Sequence, residues 1–479
     1  MSRASSLKQG GPPPLWQHQA EALRKSCLGP HALFMDRGTG KTRVVVETVK
    51  YLYKTGALGR ALIICPRRCY QVWANEFKHW ADYPSHVLHS KGRRYLAAWK
   101  PIVEQHGIET YPTVVIINYE AVLTEAVWSM LKQLEWDLVA FDESTRIKSA
   151  RAKRTKRLLG FVEHIPYRYI LSGLPVTNSP LDLYTQMRVV RHDIWGLQSE
   201  WGFKHRYAIM GGYLGKQIAG WRNLDEMSTA IQPYSFRVRK EECLDLPPVV
   251  IEEIMIEMGE EQATWYADMK RRFLVEFTKA EGKLSAVNVG AQRVRLHQIA
   301  GGFLPGATGE IVACDPNPKM EAAVESIEQL VLAARQVVVW CAFRAEIKEL
   351  AERLLKKEIP VSVLWGGMSD SDGDRAVMRF QSGESQVFIG QPKSGGLGIS
   401  LSNSSYVLYY SNTDSVEDRV QSFDRSYRPG QKGPSVTRID LISQKTVDVS
   451  ILHMLEKHMR IGDVIVDRRS AEDFVNGRY

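Results

Sequence analysis

The sequence predicts an α/β protein built from two parallel-sheet halves in tandem, with a largely helical stretch between them. Three observations carry this. Short apolar runs recur at crossover spacing in residues 32–171 and again in 337–442, as buried parallel strands do. A glycine-rich turn follows the first run and opens an apolar helical pattern. From Leu181 to about Gly302 the pattern changes to longer, mixed, helix-like segments. The expected boundaries are a leader over 1–14, a first lobe over 15–180, an insertion and linker over 181–317, a second lobe over 318–462 and a tail over 463–479.

The chain is organised around Ala32–Tyr53, ALFMDRGTGKTRVVVETVKYLY, which reads as strand, phosphate-cradling loop and helix. Gly38 and Gly40 let the backbone approach an anion, and Thr39 lies between them among amides at a helix N-terminus. Lys41 would reach the β/γ-phosphates of ATP, and the Thr42 hydroxyl would hold Mg²⁺. The full GxxxxGK[ST] pattern fails at one place, because Met35 stands where the first glycine belongs.

Composition sets the bounds. A chain of 479 residues holds two or three domains, and no apolar run approaches the ~20 residues of a membrane span. The N-terminus lacks a signal-peptide stretch. Six cysteines without a CxxC or Cys/His cluster point to reduced thiols and away from structural zinc. The net charge of +9 is compatible with a polyanionic partner. Arg146, Lys148, Arg151, Lys153, Arg154, Lys156, Arg157 and Arg168 face a single acid within the same run, Glu163. That run reads equally as a solvated helix face or as phosphate contacts.

In chain order, Leu15–Leu23 opens a helix carrying Gln17 and Gln19. A carboxamide there can read adenine through donor and acceptor together, or simply be exposed. The runs Ala61–Cys65, Val114–Ile117, Leu138–Phe141 and Tyr169–Leu171 join Ala32–Met35 as strands. Each ends in a polar or charged cluster, and in a parallel sheet such clusters converge beyond the strand C-termini. The second cluster is PRRCYQVWANEFKHW, Pro66–Trp80, and the third is Asn118-Tyr119-Glu120. The fourth, Asp142-Glu143-Ser144-Thr145, is either an acidic helix start or a hydrolysis site. In the second reading Asp142 holds Mg²⁺ and Glu143 deprotonates the attacking water. The fifth is Leu171–Asn178, LSGLPVTN. Trp195, Trp201, Trp221 and Trp265 in the middle stretch fit core packing better than base stacking.

The second half has runs Val337–Trp340, Val361–Leu364, Val387–Ile389, Val407–Tyr410 and Ile439–Ile442, but no phosphate loop. Two motifs mark it: a glycine turn, Lys393–Ser400, and Gln421–Gln431, QSFDRSYRPGQ. Gln421, Arg425 and Arg428 at i, i+4 and i+7 would share a helical face, as arginine fingers or as a salt-bridged surface.

Taken together and in order, these motifs resemble the helicase superfamily-two ATPases, and among them the Swi/Snf-type DNA translocases, from about Leu15 to Ile451. LWQHQAEAL resembles the Q motif, MDRGTGKT motif I, CPRRCYQVWANEFKHW motif Ia, NYE motif Ib and WDLVAFDESTRIKS motif II. LSGLPVTNSPLDLY is similar to motif III, FRVRKEECLDLPP to the linker of the Swi/Snf branch, and GGLGISL and QSFDRSYRPGQ to motifs V and VI. Thr145 departs from a DEAH-type histidine, Leu174 from a TGTP-type threonine, and Pro429 stands where isoleucine is common. The resemblance implies two RecA-like lobes and ATP hydrolysis with Mg²⁺ held by Thr42 and Asp142. It implies catalysis by Lys41, Asp142, Glu143, Arg425 and Arg428, and nucleotide contacts from Gln19, Gly38, Thr39, Gly40, Lys41, Thr42 and Gln421. DNA contacts are expected from Arg67, Arg68, Asn118, Lys148, Asn178, Lys393 and Ser394. The expected function is a double-stranded DNA translocase that remodels DNA or protein–DNA complexes, with branch migration or fork remodelling as the alternative. A non-hydrolysing DNA scaffold and an RNA-dependent motor are further readings. The expected partner is double-stranded or branched DNA, without membrane or obligate protein partner, for a monomer in a bacterial or phage-infected cytoplasm; a nucleus is left open.

Overall fold

The structure is a computed structural model describing residues 13–88, 112–197, 199–211, 217–279, 286–305, 310–393, 399–431 and 433–467. The chain divides into two compact units, 1–244 with 460–479, and 245–459.

The first unit is built on a seven-stranded sheet. Its strands are β1 (His31–Met35), β2 (Arg60–Cys65), β3 (Ser85–Val87), β4 (Thr113–Asn118), β5 (Leu138–Asp142), β6 (Tyr167–Leu171) and, after a two-stranded hairpin of β7 (Ala208–Gly211) and β8 (Gln217–Trp221), β9 (Ser235–Val238). The order is β3-β4-β2-β5-β6-β1-β9, and every pairing is parallel. All five apolar runs expected as strands are present. They read as continuous apolar segments because both faces are covered. Leu33, Ile63, Ile116 and Ala140 pack in one layer with helices α2 (Lys41–Lys54) and α3 (Tyr70–Ala81). Phe34, Ile64, Ile117 and Phe141 pack in the other with the helix Leu181–Val190. Helix α1 (Gln17–Ser26) precedes the sheet.

The second unit carries six parallel strands: β10 (Val249–Ile256), β13 (Val337–Trp340), β14 (Val361–Leu364), β15 (Val387–Gly390), β16 (Tyr406–Tyr409) and β17 (Val436–Ser443), with a small pair, β11 (Phe303–Pro305) and β12 (Ile311–Ala313), beside them in sequence. The order is β10-β17-β16-β13-β15-β14. The stretch 181–317, expected to be largely helical, also supplies β7 to β12. Its strand β9 completes the first sheet and β10 the second. Trp195 is buried against Tyr184 and Phe203, and Trp265 packs beside Tyr266 and Leu296, so these two tryptophans are core. Trp201 differs, lying 74% exposed and stacked on His205. Among the described residues no helix is long and apolar enough to cross a membrane.

One buried titratable group gives the first unit a pH dependence. His31 is only 6% exposed on β1. Burial, and secondarily the charge of Lys25, pushes its imidazole down from 6.5 to about 4. The unfolded chain therefore binds this proton at higher pH than the folded one. The contribution is intact above pH 6.5 and is lost as pH falls toward about 4, by up to about 3 kcal/mol. His31→Leu is expected to flatten the fall of the urea midpoint across that window; an unchanged slope would assign it to other groups.

Candidate nucleotide site

Strand β1 delivers the chain to the phosphate loop, and two residues there need glycine for stated reasons. Gly38 has φ 82° and Gly40 φ 92°, in the left-handed region, with Gly40 as the N-cap of α2. A Cβ on Gly40 would lie 2.2 Å from Gln19 Nε2, so helix α1 is pressed against the loop. Gln19 is buried, donates to the Thr39 carbonyl at 3.1 Å, and accepts from the Trp16 amide at 3.2 Å. Its carboxamide thus ties the loop to the N-terminus of α1, a use that the adenine reading did not include; Gln17 is exposed. The Thr39 hydroxyl donates to the Asp36 carbonyl at 2.8 Å. Asp36 in turn accepts from Arg237 at 2.6 Å and from the Lys240 amide at 3.2 Å, tying the loop to β9 and the residues after it.

Lys41 points back into the loop, its Nζ donating to the carbonyls of Met35 at 2.6 Å and Asp36 at 3.0 Å. Burial lowers its pKa, while Glu143 and Asp142 act in the opposite sense. Thr42 is half-buried at the first turn of α2.

Asp142 ends β5, close enough to Lys41 for the two charges to interact. Its Oδ2 accepts from Trp73 Nε1 at 2.9 Å, its Oδ1 from the Glu143 amide at 3.0 Å, and its carbonyl from the Tyr119 hydroxyl at 2.7 Å. Burial, reinforced by the charge of Glu143, raises its carboxyl to about 6 against the opposing effects of Trp73 and Lys41. Glu143 has φ 51° and accepts from Arg37 Nη2 at 2.7 Å. Sequence reading named neither Arg37 nor the Trp73–Asp142 bond. Both residues stood inside recognised motifs, but their partners lie 106 and 69 residues away.

The residues after Asp142 are wired to the loop after β6. Lys148 Nζ donates to Thr177 Oγ1 at 2.6 Å. Asp182 accepts from the Thr177 amide and hydroxyl and from the Asn178 amide at 3.0, 2.7 and 2.8 Å. Ser144 Oγ donates to Gln186 at 2.7 Å. Lys148, Arg151, Asp182, Tyr184 and Glu200 border a cavity of about 220 Å³.

The residues expected at DNA fall into distinct settings. Arg67 and Arg68 are exposed on the turn after β2, and Asn178 is exposed after β6. Lys148 is half-buried on Thr177. Asn118 departs from expectation: it is 4% exposed, and its Oδ1 accepts from the Ala121 amide, so the side chain is committed to the turn. The basic run also divides. Arg168 is spent on the carbonyls of Ile165, Val189 and Val190, and Arg157 on Val122 and Glu125. Arg146 stays exposed, 3.8 Å from Glu120.

In the second unit Lys393 is exposed, 4.0 Å from Asp418, and Ser394 lies outside the described residues. The expectation of one helical face for Gln421, Arg425 and Arg428 is corrected, because the helix Val416–Phe423 ends before either arginine. Pro429 biases Arg428 away from helical backbone, and Leu401 N–H takes the Arg425 carbonyl, which a continuing helix would use. Arg425 is 7% exposed, Arg428 donates to the Ile399 carbonyl at 3.1 Å, and Gln421 to Glu417 at 2.9 Å.

Comparison with known proteins returns two family models, an SNF2-related domain over residues 24–299 and a helicase conserved C-terminal domain over 319–430. A Bacillus subtilis protein, YwqA, named for an ATP-dependent helicase/translocase, is 26% identical over 458 residues, covering 93% of this chain and 47% of that protein. The mouse SWI/SNF-related matrix-associated actin-dependent regulator of chromatin subfamily A member 1 is 21% identical over 446 residues, covering 90% and 41%. The chain thus spans about half the length, or less, of these curated relatives. The Sulfolobus solfataricus SWI2/SNF2 ATPase core in complex with double-stranded DNA aligns at 22% identity over 95% of this chain and 93% of that one, with a TM-score of 0.42.

Proposed function

The chain belongs to the SNF2-related family of helicase-like ATPases, and from that premise we propose that it is a DNA-dependent ATPase that travels along double-stranded DNA and remodels what is bound there. The observation that carries the reading is the meeting of Lys41, Asp142 and Glu143 at the C-terminal ends of β1 and β5, beside a glycine-built helix N-terminus. Amides of the loop and of α2 take the phosphates, and Lys41 exchanges its two carbonyl acceptors for β/γ-phosphate oxygens. Glu143 accepts a proton from the attacking water. Thr42 and Asp142 offer oxygen donors only, which suits a hard cation such as Mg²⁺, and the penalty that burial places on the Asp142 carboxylate is one a cation offsets. Mg²⁺ bound there would neutralise charge on the phosphates. Arg425 and Arg428 enter the proposal as further charge-stabilising groups for the same reaction.

DNA is the proposed activator because cations and polar groups stand exposed at the same strand ends: Arg67 and Arg68 after β2, Arg146 after β5, Asn178 after β6. Contacts to phosphate position a protein without reading sequence and weaken with salt. ATP turnover should therefore be measured alone and with single-stranded, duplex, forked and four-way-junction DNA and with RNA. Stimulation by plain duplex, falling with added salt, is expected. Stimulation confined to forks or junctions would replace translocation by branch migration, and stimulation by RNA alone would overturn the DNA assignment.

A further inference from the structure

Arg37 holds a position that the reading above leaves unused. It lies in the phosphate loop between Asp36, anchored by Arg237, and Gly38. Its guanidinium donates to Glu143 Oε1 at 2.7 Å, with the two side chains 22% and 17% exposed. The carboxylate that would receive the proton from water is therefore engaged by a cation of the phosphate loop. Lys41, the neighbouring cation, is held by loop carbonyls. Both loop cations rest on internal acceptors that phosphate oxygens can replace.

We propose that Arg37 senses the γ-phosphate: when ATP binds, its guanidinium moves from the Glu143 carboxylate to γ-phosphoryl oxygens, leaving Glu143 to act on water. This rests on the ATPase reading. The argument is one of competition between two anions for one planar fork. A phosphoryl group offers several oxygens and more charge than a single carboxylate, and a guanidinium matches it in two-point geometry. The γ-position is the one concerned because the guanidinium already sits against the residue assigned to the attacking water, 2.7 Å from Glu143 Oε1, whereas Lys41 spans the β- and γ-phosphates and the α2 amides take the inner ones. ADP lacks the competing group, so with ADP the Arg37–Glu143 pair persists. One residue then distinguishes the two nucleotides and couples the availability of the base to the presence of the bond to be cut.

The test compares binding of ADP and of a β,γ-imido ATP analogue to the full chain, unaltered and as Arg37→Gln. The variant is expected to lose about 30-fold in analogue affinity, as for one charge-assisted contact, and to keep ADP within about threefold. Arg37→Lys, which keeps the charge without the fork, should fall between. The thermal midpoint of each variant without nucleotide identifies a variant that fails to fold, in which case Arg37→Lys carries the comparison. Equal weakening of both nucleotides, or of neither, overturns the inference. If the unaltered chain binds neither nucleotide, the ATPase reading fails and the inference falls with it.

Discussion

Glu143→Gln is expected to lower ATP turnover by about a thousandfold, the scale of a lost general base, while ATP binding stays within a few-fold. The amide is isosteric and its oxygen can still accept from Arg37, whose Nη2 lies 2.7 Å from Glu143 Oε1 in the unaltered chain. What it loses is the capacity to take a proton. The left-handed backbone at Glu143, φ 51°, is unaffected by a change at the end of the side chain. Single-turnover hydrolysis and nucleotide binding, measured side by side, separate chemistry from affinity. Turnover above a tenth of the unaltered value would place the base elsewhere. A loss shared equally between binding and turnover would make Glu143 a binding group.

Asp440→Ala is expected to destabilise the second unit by about 3–5 kcal/mol, because it leaves a buried guanidinium without its counter-charge. Asp440 is fully buried on β17 and accepts from Arg419 Nη2 at 2.5 Å and from Asn412 at 3.2 Å, with Arg438 Nε at 3.3 Å. Arg419 is 5% exposed, lies 3.6 Å from the centre of the Tyr409 ring, and also donates to Asn412 at 2.5 Å. Burial works against the charged form of Asp440, but Arg419 outweighs it and holds the carboxyl below its ordinary value of 3.8. The folded pKa being depressed, this stabilisation is present above pH 3.8 and is lost only as pH falls further. Chemical unfolding followed by a probe in each unit is the measurement, since two compact units need not melt together. A loss under 1 kcal/mol would show that Tyr409 and Asn412 suffice to hold Arg419.

The parts legible in the sequence are those whose cause is local. Lys41 and Thr42 follow a turn whose glycines adopt positive φ, and Asp142 closes a wholly apolar run; both patterns lie within a few residues. The parts that were not legible depend on partners far along the chain. Trp73 was recognised within its motif, yet nothing near it announces a bond to Asp142. For Gln19 the sequence suggested adenine reading or plain exposure, and its bond to the loop emerges only from the proximity of α1 to Gly40. Strand β9, SFRV, is too short for its alternation to stand out, and parallel pairing with β1 makes it a strand. The helix 416–423 shows the opposite failure. The spacing of Gln421, Arg425 and Arg428 is helical, but the backbone leaves the helix after Phe423.

The pairing of early strands with late ones has a consequence for biosynthesis. Strand β1, the first of its sheet to leave the ribosome, has no neighbours except β6 and β9. At about 5–20 residues per second, the roughly 200 residues that separate β1 from β9 take about 10–40 s to make. The second sheet repeats the arrangement, its earliest strand, β10, pairing only with its latest, β17. In each unit the earliest strand waits for its partner until most of the sheet has been translated, and in the first unit that strand is wholly apolar in its buried stretch Ala32–Met35. Helix α2, and with it the phosphate loop, cannot be seated before then. A ribosome stalled just past residue 200 would carry a chain containing Lys41, Asp142 and Glu143, the three residues proposed for catalysis, but with β1 still open along one edge. Such a truncated product is a candidate for chaperone capture.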